Sequence, residues 1–494
     1  MAKIHNYINN MKSLHTSLLK AFTFSLIGFS VFNHQSVQAN VSLENYVSHL
    51  PTGASVGFVA ENLNRQQTIA DYNQQTLMLP ASTQKVFTAL AAKLALGDQF
   101  QFTTDLVTTA KISNKTLQGD LGVRFSGDPT LSSGQLYQLL AKLKQQGIDV
   151  IQGNIVLDTS IFNSHDRGLG WIWNDLTMCF NAPPSAASID GNCFSVELNA
   201  GGNLGDLVQV SVPSHFPVQV FSQVRLVSAQ EAGNCAFDVV VNDNNRYTLK
   251  GCMARQSKPF GLSFAVQDPD AYAIAIIMAQ LKRLGITLNG QIMLAFNPTQ
   301  GNVLASHNSK ALPELLKQMM KKSDNQIADS LFRRIGYQYY KKPVSFQQSA
   351  AAMRQILTRQ AKIDFGNSQI ADGSGLSRQN LISPNALLQT LNYINANEDK
   401  LNLLSTFPIA GYDGTLSGRG SMSEAPLAKN LIAKTGALKG VYNLAGFMQN
   451  AKGERIAFVQ FINGYSTGDL ESRTKRSPLV NFEKNVFTAL YQEP

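Results

Sequence analysis

Both ends of this 494-residue chain carry patterns that predict complementary pieces of one α/β unit, which strongly limits how the chain can fold. Near the N-terminus, SVGFVAENLN (55–64) and QQTIADYN (66–73) are typical of two strands joined by a turn. The apolar spacing that follows predicts a helix with Ser82 in its first turn and its end near Gly97. These elements form the first half of the predicted unit.

The second half is predicted near the C-terminus, where three strands joined by short turns form an antiparallel meander. The strands are LIAKTGAL (431–438), VYNLAGFMQ (441–449) and RIAFVQFING (455–464). The final helix, PLVNFEKNVFTALY (478–491), is expected to pack back on them. We therefore expect one α/β unit that is built from both chain ends and interrupted by a long insertion.

The insertion contains a weak internal repeat. AKLKQQGIDVIQGNIVLD (141–158) resembles AQLKRLGITLNGQIMLAF (279–296), and each is predicted as a helix closed by glycine and followed by a strand. Residues 102–130 alternate with the period of two that strands show. Because the two copies bracket all four cysteines, we expect a two-part inserted domain with a cysteine-containing subdomain inside it.

The cysteines are Cys179, Cys193, Cys235 and Cys252. In an exported chain such a set indicates two disulfides, and three pairings are possible. We favour the local pairs, Cys179–Cys193 and Cys235–Cys252. A zinc site is the alternative, but the CxxC spacing is absent and the histidines are scattered, so no metal is expected.

The N-terminus has the pattern of a cleaved secretory signal. Lysines precede the apolar run AFTFSLIGFSVF (21–32), which is too short to span a bilayer, and a small-residue site predicts cleavage after Ala39. No later stretch is long and apolar enough for a transmembrane helix. Removal of the three lysines of the signal leaves 39 of the 42 basic residues against 33 acidic ones, a net charge of +6, which suits an anionic polymer but does not indicate nucleic acid.

Three short motifs occur in an order that changes their meaning. Ser82-x-x-Lys85 opens a predicted helix, Ser323-x-Asn325 lies between two predicted helices, and Lys434-Thr-Gly lies on a predicted strand. Singly, the first two are common and fit a helix cap and a solvated lysine. Together, in this order and in these contexts, they are the signature of penicillin-recognising serine acyl-enzymes.

Five further stretches make the resemblance specific. The chain resembles the penicillin-binding protein 4 family of D-alanyl-D-alanine carboxypeptidase/endopeptidases over nearly its whole mature length. The stretches that carry this resemblance are FSGDPTL (125–131), WNDLTMCFNAPPSAA (173–187), ADGSGLSR (371–378), AGYDGTL (410–416) and KTGALKGVYNLAGF (434–447).

The resemblance implies a penicillin-binding-protein/β-lactamase-like transpeptidase domain, in which an antiparallel sheet has helices on both sides. A long, mixed and β-rich insertion interrupts it. The predicted boundaries are a signal peptide at 1–39, a catalytic domain at 40–100 and 301–494, an inserted domain at 101–165 and 262–300, and a nested cysteine-containing subdomain at 166–261.

The resemblance also implies roles for the motif residues. Ser82 is expected to be the nucleophile, because a hydroxyl near a helix N-terminus meets positive potential as it loses its proton. Lys85, one turn later, is the expected general base, and burial and the nearby Lys434 ammonium are expected to lower its pKa. Ser323 is expected to relay the proton to the leaving amine, and Asn325 to orient Lys85 and bind a substrate amide.

Substrate binding is assigned in the same way. Lys434 and Thr435 are expected to hold the terminal D-Ala carboxylate, with the substrate lying as an added strand on the sheet edge. The backbone N–H groups of Ser82 and Ala437 are the expected oxyanion hole. Asp175 and Arg378 are a hypothesis for reading the diaminopimelate side chain of the stem peptide, since that side chain ends in an amine and a carboxylate. The alternative is that Asp175 caps a turn and Arg378 braces one.

The expected function is hydrolysis in the periplasm of terminal D-Ala and of D-alanyl cross-links in peptidoglycan, with β-lactams as covalent inhibitors and no cofactor. The spacing between Ser82 and Ser323 exceeds what a compact β-lactamase needs, but a secreted serine β-lactamase remains an alternative. A non-catalytic peptidoglycan-binding protein is the other. Its weakness is that a dead site has no reason to keep all the motif residues.

Overall fold

The computed structural model describes residues 41–295, 297–468 and 477–493. The predicted signal peptide at 1–39 lies outside the described residues, so it stays a prediction.

The central sheet joins the two ends of the chain. Its N-terminal strands are β1 (Ser55–Asn62) and β2 (Gln67–Tyr72), and its C-terminal strands are β19 (Leu431–Leu438), β20 (Val441–Gln449) and β21 (Arg455–Asn463). The strand order is β19-β20-β21-β1-β2, and every neighbouring pair is antiparallel. The predicted α/β unit made from both chain ends is therefore confirmed.

Helices cover both faces of this sheet, as predicted. On one face lie five helices, at 85–96, 312–322, 325–340, 346–361 and 384–396, whose apolar side chains form one core with Val59 and Val459. On the other face the C-terminal helix packs on Phe58 and Phe458 through Phe487. The helices of this unit are α1 (Glu44–Val47), α2 (Lys85–Leu96), α6 (Leu312–Lys322), α7 (Asn325–Tyr340), α8 (Phe346–Ala361), α9 (Pro384–Ala396), α10 (Glu398–Leu401) and the C-terminal helix (Ser477–Tyr491).

The two copies of the internal repeat lie side by side. The first contributes α3 (Ser133–Gln145), β7 (Val150–Ile151) and β8 (Ile155–Asp158), and the second α5 (Pro269–Leu284), β16 (Thr287–Leu288) and β17 (Ile292–Leu294). Strand β16 pairs in parallel with β7, and β17 pairs in parallel with β8. The same two sheets also contain β3 (Thr103–Thr108), β4 (Ile112–Ser113), β5 (Thr116–Leu117), β6 (Leu121–Phe125) and β18 (Asn302–Asn308).

The cysteine region consists of two small sheets. Their elements are β9 (Cys193–Asn199), β10 (Gln209–Ser211), β11 (Gln219–Ser222), β12 (Arg225–Val227), α4 (Ala229–Ala232), β13 (Phe237–Asn242), β14 (Arg246–Ala254) and β15 (Phe260–Ala265). The order is β10-β9-β15 in one sheet and β11-β14-β12 in the other, where β13 also pairs with β14. Disulfides join Cys179 to Cys193 and Cys235 to Cys252, so the favoured local pairing is confirmed.

Among the residues that the structure describes, no helix combines the length and apolarity needed to cross a bilayer.

Candidate active site

Ser82 lies just before α2 and Lys85 is the first residue of α2. Their segment contacts β19, an edge strand of the central sheet. Ser82 is half-buried in a 3₁₀ turn, Ala81–Gln84, which runs directly into α2, so its segment is a tighter turn than the α-helical one that the sequence predicted. The Lys85 ammonium nitrogen Nζ lies 2.8 Å from the Ser82 hydroxyl oxygen. The i, i+3 spacing thus brings the two side chains into a hydrogen bond.

The turn is fixed by close contact with a distant loop. Gly375 has a φ of +87°, and a Cβ built on it would lie 1.8 Å from the carbonyl oxygen of Ala81. Only glycine combines this backbone conformation with so close an approach. On the other side, the Asn443 amide donates to the Leu79 carbonyl (2.8 Å), and the Leu79 N–H donates to Asn463 (2.8 Å). Strands β20 and β21 therefore hold the segment that leads to Ser82.

Lys85 is fully buried, and its ammonium group donates three hydrogen bonds. Besides Ser82, the acceptors are the side-chain oxygen of Asn325 at 2.7 Å and the backbone carbonyl of Ser374 at 2.7 Å. Three donors with three acceptors satisfy a buried ammonium completely. Asn325 and Ser374 therefore hold the Lys85 nitrogen from two sides, and its third hydrogen bond is directed at Ser82.

Burial lowers the pKa of Lys85 from its ordinary value of 10.5 to about 8. The carboxylates of Asp329, Asp372 and Asp324 act in the opposite direction and keep the pKa from falling further. At neutral pH and slightly above, Lys85 therefore exists as a mixture of ammonium and amine, and the amine is a proton acceptor.

Ser323 and Asn325 lie where α6 ends and α7 begins. Ser323 has left-handed backbone angles (φ 58°, ψ 38°), which turn the chain sharply, and Asp324 caps α7 by accepting from the Ile327 N–H at 3.0 Å. The Asn325 amide nitrogen donates to the Phe180 carbonyl at 2.8 Å. That bond directs the amide oxygen toward Lys85, and Phe180 directly follows the disulfide-bonded Cys179.

Lys434 faces Ser323 from β19. Its Nζ lies 2.9 Å from the Ser323 hydroxyl oxygen and 2.8 Å from the Thr435 carbonyl, and the side chain is fully buried. Burial, and then the charge of Lys85, lower the pKa of Lys434 well below its ordinary value. The Thr435 hydroxyl donates to that of Thr415 at 2.8 Å, in the AGYDGTL stretch.

The remaining predicted residues lie around this centre. Ala437 is exposed on β19, an edge strand of the central sheet. Arg378 donates through its backbone N–H to Gly170 (3.0 Å) and through its guanidinium to the Lys439 carbonyl (3.4 Å). Asp175 lies half-buried in the 3₁₀ turn Trp173–Asp175. The Arg378 segment continues from Ser374, whose carbonyl accepts from Lys85. The Asp175 carbonyl accepts from the side chain of Asn181 at 3.1 Å, and Asn181 directly follows Phe180, whose carbonyl accepts from Asn325.

Sequence reasoning missed a group of buried residues that surround Lys85. Asp372 is fully buried and accepts four hydrogen bonds, and Asp329 on α7 accepts two. The donors to Asp372 are the backbone of Gly375 and Ser377 and the side chains of Asn380 and Trp171. The sequence signal for Asp372 is the ADGSGLSR stretch, in which only Arg378 is a predicted site residue.

A comparison with protein families gives one match over most of the chain. The model of the D-Ala-D-Ala carboxypeptidase 3 (S13) family matches residues 39–486. The D-alanyl-D-alanine carboxypeptidase DacB of Haemophilus influenzae is 61% identical over 488 residues, which are 98% of this chain and 100% of that protein.

Solved structures give the same result. The crystal structure of penicillin binding protein 4 (dacB) from Haemophilus influenzae has a TM-score of 0.89 and 63% sequence identity, and the match covers 91% of this chain and 99% of that chain. A crystal structure of the same protein in complex with a β-lactam has a TM-score of 0.86 and 60% identity with the same coverage.

Proposed function

Because this chain belongs to the D-Ala-D-Ala carboxypeptidase 3 (S13) family, we propose that it is a serine D-Ala-D-Ala carboxypeptidase that works through an acyl-enzyme on Ser82. One observation carries the proposal: the Ser82 hydroxyl is hydrogen-bonded to a fully buried Lys85 whose pKa lies near 8. A hydroxyl needs such a base to become a nucleophile near neutral pH.

The proposed reaction has two steps. In the first, the Ser82 oxygen attacks the carbonyl carbon of the penultimate D-Ala while its proton passes to the neutral amine of Lys85. The C–N bond then breaks, and the terminal D-Ala leaves after its nitrogen receives a proton. In the second step, water attacks the ester, which releases the shortened peptide and returns the proton to Ser82.

Ser323 is proposed to relay the proton that Lys85 takes from Ser82 to the leaving nitrogen, which returns Lys85 to its neutral form, and Lys434 is proposed to hold the Ser323 hydroxyl in place. The 2.9 Å hydrogen bond between Lys434 and the Ser323 hydroxyl supports this, because the lysine fixes the orientation of the hydroxyl. Asn325 is proposed to orient Lys85 and to bind a substrate amide. The 2.7 Å hydrogen bond from Lys85 to Asn325 supports the orienting role. A lowered pKa of Lys434 favours proton transfer through this pair.

The edge of β19 is the proposed binding place for the substrate. The two-residue hairpin between Leu438 and Val441 makes that pair hydrogen-bonded, so the N–H of Ala437 points away from β20. The N–H of Ala433, which has the same orientation, donates outward to Pro408 at 3.0 Å. This supports an oxyanion hole formed by the N–H groups of Ala437 and Ser82, with Thr435 and Lys434 near the substrate carboxylate.

We also propose the finer parts of the predicted function: cleavage of D-alanyl cross-links, covalent inhibition by β-lactams, and a periplasmic location after cleavage behind Ala39. The β-lactam complex of the Haemophilus influenzae relative supports the second part. The two disulfides support an oxidising compartment. Mass measurement of the exported protein tests the cleavage, with a mature chain beginning at Asn40 as the expected result.

Asp175 and Arg378 remain our proposal for recognition of diaminopimelate. Their placement on two segments that border the site supports it, although Arg378 also braces the Lys439 carbonyl. Asp175→Ala and Arg378→Ala are expected to slow cleavage of a diaminopimelate peptide much more than cleavage of a D-Ala-D-Ala ester without that side chain. An equal loss on both substrates would remove the idea.

The predicted domain division is likewise a proposal. One apolar core is formed almost entirely by residues between Leu106 and Ala305, and two others by residues outside that span. This supports a catalytic domain built from both chain ends, proposed at 40–100 and 301–494, while β18 (Asn302–Asn308) belongs to a sheet of the insertion. The same core contains residues of both the predicted inserted domain and the nested subdomain at 166–261, so limited proteolysis is the test of that inner boundary.

The deciding experiment combines product analysis with intact-protein mass. Purified protein is incubated with monomeric and cross-linked muropeptides, and separately with penicillin. Release of D-Ala, splitting of the dimers and a long-lived penicillin adduct that is lost in Ser82→Ala are the expected results. Rapid penicillin turnover would indicate a β-lactamase, and no reaction with either compound would indicate a binding protein.

A further inference from the structure

Asp329 is a fully buried carboxylate close to the proposed base and has no part in the mechanism above. It lies on α7, one turn after Asn325, and its side chain is 1% exposed. One carboxylate oxygen accepts from the N–H of Gly373 at 2.8 Å and from the N–H of Ser374 at 3.0 Å. The other oxygen is buried without a hydrogen-bond partner among the described residues.

The two N–H groups that Asp329 binds belong to the segment that holds Lys85. The Ser374 carbonyl is one of the three acceptors of the Lys85 ammonium group, at 2.7 Å. From the opposite side, the Thr88 hydroxyl on α2 donates to the Gly373 carbonyl at 2.7 Å. The Gly373–Ser374 backbone is therefore fixed between α7 and α2, and the position of the Ser374 carbonyl depends on the Asp329 carboxylate.

The charge of Asp329 also acts directly on Lys85. Burial, and then the charge of Asp372, raise the pKa of Asp329 from its ordinary value of 3.8 to about 8, and the charge of Lys85 partly offsets this rise. Asp329 and Lys85 therefore gain and lose protons in the same pH range, and the charge of each depends on the protonation of the other. The charged groups that face the pair come from several elements. They are Asp372 in the 371–378 loop, Asp324 at the start of α7, Lys434 on β19 and Arg333 on α7.

We propose that Asp329 is a positioning residue for Lys85, which fixes the Ser374 carbonyl against the lysine and, when it is ionised, makes the lysine lose its proton less readily. The proposal rests on the proposed function, in which Lys85 is the base. A purely structural anchor would hold the loop without changing the pH at which Lys85 becomes active.

Asp329→Asn separates charge from geometry. The amide keeps an oxygen that accepts from Gly373 and Ser374 but carries no charge, so the Lys85 ammonium loses a favourable neighbour and gives up its proton at lower pH. The measurement is the second-order rate constant of acylation by a fluorescent penicillin from pH 5.5 to 9.5. We expect the midpoint of its rise to fall by up to about one pH unit, because the loss of a nearby opposite charge has an effect of this size when that charge is present.

Ser330→Ala is the matched control. Ser330 is the next residue on α7, is fully buried, and its hydroxyl has no hydrogen-bond partner among the described residues. Its midpoint is expected to equal that of the wild-type protein. An unchanged or raised midpoint in Asp329→Asn, or an equal fall in Ser330→Ala, would overturn the proposal.

Asp329→Ala tests the positioning itself. Without the carboxylate the Ser374 carbonyl loses its support, and we expect kcat for D-Ala release to fall about 10- to 100-fold while KM changes little, since a small misplacement of a reacting group has effects of this size. A kcat at the wild-type level would remove the positioning role. If this variant does not fold, the Asp329→Asn midpoint decides alone. Wild-type protein that reacts with neither penicillin nor D-Ala-D-Ala peptide would instead refute the proposed function.

Discussion

The surroundings of Ser82 and the cysteine region of the insertion are held together in opposite ways. Around Ser82, the charged side chains of Lys85, Lys434, Asp329 and Asp372 are all at most 1% exposed. In the cysteine region, every residue of β11 and β13 is at least partly exposed, and two disulfides lie within or beside the small sheets.

The difference shows what each region has to achieve. Burial of charge costs free energy and is tolerated only where hydrogen bonds and opposite charges compensate, so the site gives up stability for a lysine with a lowered pKa. The cysteine region packs Phe194, Tyr247 and Leu249 into the apolar core of the insertion, while β11 and β13 stay partly exposed. Covalent links add to this apolar packing by restricting the unfolded chain.

The largest expected effect comes from removing the buried charge at the site. Lys85→Met is expected to slow penicillin acylation by about 10²- to 10⁴-fold, the usual contribution of a general base. The acylation rate of folded protein, checked by circular dichroism, is the measurement. Lys93→Met is the matched control, because Lys93 lies on the same helix, is 9% exposed and pairs with Asp98 at 2.6 Å. A similar loss in both variants would contradict a specific role for Lys85.

Buried charge away from the site should instead contribute to stability. Glu483 on the C-terminal helix is fully buried, pairs with Arg419 and accepts from Ser421 at 2.6 Å. Glu483→Gln leaves the Arg419 charge without its partner and is expected to lower the free energy of unfolding by about 3 kcal/mol, as measured by urea denaturation. Glu424→Gln is the control, because it breaks the exposed 3.6 Å ion pair between Glu424 and Lys484. It should change the free energy of unfolding by less than about 1 kcal/mol.

The same pair predicts how stability depends on pH. Burial raises the pKa of Glu483, but Arg419, Ser421 and Gln460 lower it by more, so it lies below the ordinary value of 4.5. The stabilisation is present above pH 4.5 and is lost as the pH falls through the lowered pKa. The difference in free energy of unfolding between the wild-type protein and Glu483→Gln should therefore become smaller in acid. A difference that stays constant down to pH 3 would contradict this.

The two disulfides should differ in what they affect. Their sequence separations are 14 and 17 residues, for which the loss of either link is expected to cost about 3 kcal/mol or less. Cys179→Ser with Cys193→Ser should also slow acylation, because the neighbouring Phe180 carbonyl orients the Asn325 amide. Cys235→Ser with Cys252→Ser is the control and should lower stability alone. Equal acylation rates in the two double variants would show that the first disulfide does not support the site.

The smallest effect is the pH dependence of the unaltered protein. Since protonated Lys85 cannot accept a proton, kcat/KM for D-Ala release should rise with pH and reach half of its limit near pH 8. The Lys93→Met variant should show the same midpoint. A rate that is independent of pH between 6 and 9 would show that Lys85 does not act as the base.

The elements with strong patterns could be predicted from the sequence. The strands of both chain ends, the two helices that flank the Ser323 motif and the C-terminal helix are confirmed, because period-two and amphipathic patterns report burial on one face. The turn at Ser82 differed from the prediction, since contact with Gly375 and β20 shapes it and local sequence does not report such contacts.

Within the site, the motif residues could be named but their support could not. Asp329 reads as an ordinary polar position on an amphipathic helix, and the acceptor that Ser374 offers is a backbone carbonyl, which any residue carries. The roles assigned to Ser82, Lys85, Ser323, Asn325 and Lys434, and the domain boundaries, remain predictions.

Residue types at recognisable spacings were enough to predict the class of chemistry, because the Ser-x-x-Lys motif and the two later motifs can be found without a structure. Which groups touch follows from the fold, since Lys85 and Asn325 meet through packing of helices that are far apart in the chain. The fold also sets the pKa of Lys85. A pKa depends on burial and on neighbouring charges, and both arise only when the distant segments have come together.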